Sequence, residues 1–137
     1  MKKYLYLLSF SLGFLQSIHG SDAAKIATWN SKAQIAINNA TTASPAQETW
    51  LLNLLATIKP TPPQATADQA KTDQATAELA YKKILKATTY IERIAAQNTA
   101  IASLQNQITS IQNQIISIGN TIKQDNILIK KLMQPIS

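Results

Sequence analysis

Leu104–Ser110 reads LQNQITS, Ile111–Ser117 reads IQNQIIS and Ile118–Gln124 reads IGNTIKQ. The three segments are one seven-residue unit repeated. Ile recurs at 101, 108, 115, 122 and 129, and Leu104, Ile111, Ile118 and Leu132 stand three residues after four of these. Alternating steps of three and four place all nine on one stripe of a helix, and such a stripe is shielded by other helices. With Ile101 as heptad position a, the five Ile are a residues, and Leu104, Ile111, Ile118 and Leu132 are d residues. Asp125 also falls at d. Its carboxylate interrupts an otherwise apolar line and either marks register or, the favoured reading, is where the coil frays toward Met133.

Positions flanking the stripe hold mostly Gln, Asn, Ser and Thr, and no charged residue occurs from Ile94 to Ile122. So many amides and hydroxyls exclude a membrane span, because each would lack a partner in lipid. Ile at both a and d favours three or four strands over two. The seam therefore predicts association with copies of the same chain, as a trimer or tetramer, or with another helical envelope protein. Packing of the stripe inside one chain, against the helix of Trp50 and the Ala80–Ile91 face, is the competing arrangement.

Upstream of the repeat, the chain is Ala-rich from residue 65 and has no Pro and one Gly up to Met133. One continuous helix of this stretch would run on the order of 100 Å at ~1.5 Å per residue. An apolar face of Ala80, Ile84, Ala87, Ile91 and Ile94 precedes the seam but does not share its phase. The offset falls at Gln97-Asn98-Thr99. Either a single helix absorbs it by local overwinding, or the chain turns near Asn98 into a hairpin. Absence of Gly and Pro there favours the single helix.

Before the long helix, Pro60-Thr61-Pro62-Pro63 reads as a stiff extended connector. On its N-terminal side, Ile26, Trp29, Ala33, Ile37 and Ala40 recur at three and four and predict a helix with a thin apolar stripe. Ser44-Pro45-Ala46-Gln47 then has the form of a helix start: an N-cap Ser, Pro in the first turn and a Gln completing a capping box. Trp50, Leu51, Leu54, Leu55 and Ile58 form the expected core face of that second helix, which stops by Lys59 ahead of Pro60. The expected fold is all-α: a helical pair over residues 21–59, a Pro-rich linker over 60–65 and a helical, heptad-bearing region over 66–133.

Residues 1–20 read as a leader rather than fold. Lys2 and Lys3 precede an apolar run from Tyr4 to Leu15, and Gly20, Ser21 and Ala23 offer small residues for cleavage near 20 or 23. The expectation is an exported, periplasmic or extracellular protein, with a bacterial style of leader. Removing residues 1–20 leaves eleven basic and seven acidic side chains, a net charge of +4. That balance suits solubility and excludes a polybasic nucleic-acid binder. His19 is the sole His and lies in the leader, and there is no Cys.

No catalytic, cofactor or metal residues are assigned. Metallohydrolase, phosphate-loop and nucleophile-elbow patterns are all missing. Asp68, Asp73 and Glu78 stand five apart and face different ways on a helix. Lys82, Lys83, Lys86 and Arg93, with Tyr81 and Tyr90 nearby, form the best basic cluster and the candidate contact for an anionic surface. Its simpler reading is a solvated helix face, because Glu78 and Lys82 pair at i,i+4. Two functional expectations follow. The first is an exported, non-enzymatic structural protein that associates through the Ile seam within a cell-envelope, secretion or surface assembly. The alternative is a secreted membrane-active helical effector that uses the Trp50 helix as a wedge and Lys82–Arg93 as its basic face.

Overall fold

A computed structural model describes residues 20–136. The leader read over residues 1–20 lies, apart from Gly20, outside the described residues. The fold is all-α. Three helices follow in order, α1 (Gly20–Asn39), α2 (Pro45–Ala56) and α3 (Ala67–Leu132), with no strand among the described residues. The chain divides into two units, one ending at Ala95 and the other beginning at Ala96.

In the first unit, α1 buries the stripe its spacing predicts. Ile26, Ala33, Ile37 and Ala40 are buried and Trp29 is half-buried. The α2 start is the expected capping box. Gln47 N donates to Ser44 Oγ (3.2 Å), Ser44 N donates to Gln47 Oε1 (2.8 Å), and Pro45 occupies the first turn where its missing N–H costs nothing. At the other end, Thr57 N–H reaches back to Leu54 and Leu55 carbonyls, and its hydroxyl donates to Leu54 O at 2.7 Å. This closes α2 before the proline connector. A second cap, Thr66, opens α3: its Oγ1 accepts from Gln69 N at 3.2 Å.

Leu51, Leu55 and Ile58 are buried, but Trp50 is 47 % exposed, which corrects its assignment to the core. On a helix Leu51 and Leu55 lie one turn apart, and Ile58 follows just past the helix end in the same direction. Trp50 sits a residue to the side, and half its surface meets solvent.

α3 contributes Ala77, Ala80, Ile84 and Ile91 to this core, and its Ala70 and Thr88 are also buried. Small Ala residues let helices approach closely, and the buried Ile side chains contribute about 1.5–3 kcal/mol each. Ala87 is only half-buried and Ile94 is exposed, so the packed face is narrower than its predicted five residues. Thr88 brings a hydroxyl into this interface and satisfies it locally on Ile84 O (2.9 Å) and Leu85 O (3.1 Å). Across helices, the Trp29 and Tyr81 rings stack with centroids 6.1 Å apart and planes 17° apart.

Among the described residues Asn30 is the one buried side-chain amide. Its Nδ2 donates to Ile58 O at 2.9 Å, and its Oδ1 accepts from Gln34 Nε2 at 2.9 Å. The α1 side chain thus fixes the backbone that leaves α2. Removing it strands the buried Ile58 carbonyl. Asn30→Ala is expected to lower unfolding free energy by about 1–3 kcal/mol, measured by urea titration with Trp fluorescence. An unchanged midpoint would contradict the role given to this amide.

Candidate functional site

The second unit is the remainder of α3, which runs through Gln97, Asn98 and Thr99 without a break. Of the two alternatives for the phase offset, the structure has the single helix and not the hairpin. The helix also continues past Asp125 to Leu132. Asp125 is therefore helical, seven residues inside the helix end.

Every predicted seam residue is exposed. Ile101, Leu104, Ile108, Ile111, Ile115, Ile118, Ile122 and Ile129 range from 52 % to 62 %, and Leu132 reaches 84 %. All nine lie on one uninterrupted helix, so the 3–4 spacing makes the line continuous in space as well as in sequence. Leu128 is equally exposed and lies at heptad position g beside the line. The repeat did not reveal it, because the preceding g positions are polar: Gln107, Gln114 and Thr121. Ile116 and Ile127 are exposed too, at positions b and f away from the seam.

The flanking polar groups are partly engaged with the helix itself. Thr109 Oγ1 donates to Gln105 O (3.1 Å) and Thr121 Oγ1 to Ser117 O (3.2 Å). The Gln and Asn side chains beside the stripe carry no charge, so the apolar line is bordered by neutral amides. Chemically this surface can bury hydrocarbon against hydrocarbon.

The basic cluster is arranged differently from a free cationic patch. Lys82 Nζ meets Glu78 Oε1 at 2.6 Å. Lys86 Nζ and Arg93 Cζ lie 5.9 and 5.6 Å from the centroid of the same Tyr90 ring. Lys83 is exposed. Three of the four cations thus have local partners within α3. Among the described residues no three His, Cys, Asp or Glu side chains group as a metal site, and no helix is long and apolar enough to cross a membrane.

No protein-family model matches the chain, and neither the curated proteins nor the solved structures contain a significant match to it.

Because both Trp residues report on the first unit, core and seam can be tested separately. The double substitution Ile111→Gln and Ile115→Gln is expected to leave the Trp-detected urea transition of dilute protein within about 0.5 kcal/mol of wild type, as for exposed positions. A larger loss would mean that the seam supports the core.

Proposed function

We propose that this is an exported, non-enzymatic assembly protein whose copies join through the Ile seam into a parallel three- or four-stranded coiled coil. Such an element would serve a cell-envelope, secretion or surface assembly. The observation that carries the proposal is the exposure of all nine seam residues on one continuous helix. About half of each side chain remains in water, so covering it contributes roughly 1 kcal/mol. Nine give on the order of 10 kcal/mol per chain, comparable with the ~4–15 kcal/mol that association costs in lost freedom. Seam contacts are therefore of the size needed to hold copies together.

Ile at a and d supports three or four strands. The border of Gln, Asn, Ser and Thr supports identical partners. It encodes no charge pattern with which to select a different chain, so shape and register decide the match. Export is supported by the leader-like residues 1–20, with Lys2 and Lys3 before an apolar run. The wedge alternative is less well supported, since Leu51 and Leu55 of α2 are buried and Trp50 alone of its large apolar residues is exposed.

Sedimentation equilibrium of the purified protein tests the reading. A trimer or tetramer is expected at micromolar concentration, and the Ile111→Gln, Ile115→Gln variant is expected to sediment as a monomer with its helical first unit intact. A wild-type monomer at tens of micromolar overturns the proposal.

A further inference from the structure

The side of α3 turned away from the first unit's core carries a patterned surface. At about 100° per residue, Ala77, Ala80, Ile84, Thr88 and Ile91 share the buried side of the helix. Leu79, Lys83, Lys86, Tyr90, Arg93 and Ile94 fall on a separate arc of about 100°. All six are exposed, Leu79 by 56 %, Tyr90 by 46 % and Ile94 by 52 %. Between residues 79 and 94 the one acidic side chain is Glu92, which lies off this arc. Lys82 sits at its border, and Glu78 meets its charge. Three cations, Lys83, Lys86 and Arg93, therefore stand among Leu79, Tyr90 and Ile94 over about 22 Å of helix.

Tyr90 organises two of the cations. Lys86 Nζ and Arg93 Cζ lie 5.9 and 5.6 Å from its ring centroid. A cation over a ring keeps its full charge, unlike Lys82 in its ion pair with Glu78. The contact also limits the freedom of both side chains, so less is lost when they meet an anion.

We propose that this face of α3 docks the protein on the surface of an anionic phospholipid bilayer. The cations reach the headgroup phosphates and acidic lipids, Tyr90 sits at headgroup level, and Leu79 and Ile94 enter the boundary of the acyl chains. The composition of the face selects this occupant. A soluble polyanion pairs with the cations and leaves Leu79 and Ile94 in water. A zwitterionic bilayer covers the apolar pair and offers the cations no net countercharge. A surface that is negative, and apolar beneath, uses all six residues. The proposal does not depend on self-association through the seam, and it needs no insertion of α2.

Co-sedimentation of the full chain with vesicles tests it. Vesicles of phosphatidylcholine alone are compared with vesicles of about three parts phosphatidylcholine to one part phosphatidylglycerol. Wild type is expected to partition at least roughly tenfold more strongly onto the anionic vesicles, and to lose this advantage as salt rises from about 0.1 to about 1 M. The Lys83→Gln, Lys86→Gln, Arg93→Gln variant is expected to lose roughly fivefold per cation, on the order of a hundredfold in all. Leu79→Ser with Ile94→Ser is expected to bind severalfold more weakly at unchanged charge. The seam is identical in all three proteins, so any attraction of its own for lipid cancels from the comparison. Circular dichroism checks that the helix content of the variants is unchanged. Equal partition of wild type onto the two kinds of vesicle, or no partition, overturns the proposal, whether or not copies associate. So does a triple variant that binds as wild type does. Retention on heparin without binding to anionic vesicles assigns the face to a soluble polyanion and overturns the lipid assignment. A Leu79→Ser, Ile94→Ser variant that binds anionic vesicles as tightly as wild type overturns it too.

Discussion

A helix standing in water gains little from its own hydrogen bonds, and an uncovered apolar stripe adds nothing to hold it in shape. Isolated helices owe most of their stability to what packs on them. From Ala96 to Leu132 this chain has a helix with nine Ile and Leu exposed on one side and neutral amides around them. Its composition makes sense once that stripe is covered. The amides keep the remaining faces soluble without fixing a charged partner, and the repeated seven-residue unit gives every copy the same surface. In the proposed assembly, covering the stripe would both stabilise the segment and join the copies.

The first unit solves the same problem within one chain. Ile26, Ile37, Leu51, Leu55, Ile58, Ile84 and Ile91 close a core with small Ala residues between them. Two specific contacts add definition to this otherwise generic packing. The Trp29–Tyr81 stack sets α1 against α3, and the Asn30 amide ties α1 to the backbone beyond α2. A buried amide with both ends satisfied favours one arrangement over slipped ones, because any slip leaves polar atoms without partners. The seam has a polar member of the opposite kind in Asp125, whose charge has no partner on its own helix.

Much of this was legible in the residues. The α1 stripe and the Ser44–Gln47 capping box are periodic or local patterns, and each appears in the structure where its spacing places it, while the heptad segment is helical throughout. Features that depend on distant residues were not legible. Asn30 reads as one polar residue among many until Ile58 O is brought to it from 28 positions away. Trp50 looks like core by type, yet the adjacent Leu51 takes the inward direction. The offset at Gln97–Thr99 permits a turn on pattern grounds, but good helix formers on either side carry the helix through. Function stayed the least legible, since a seam names a mode of binding and not a biological task.

Hydrogen exchange followed as a function of protein concentration tests the central claim most directly. Amides around the Ile26–Ile91 core should be protected equally in dilute and concentrated samples. Those from Ile101 to Leu132 should exchange fast when dilute and become protected as concentration rises, as the proposed association of copies requires. Protection of residues 101–132 that is the same at every concentration, whether high or low, would contradict the account.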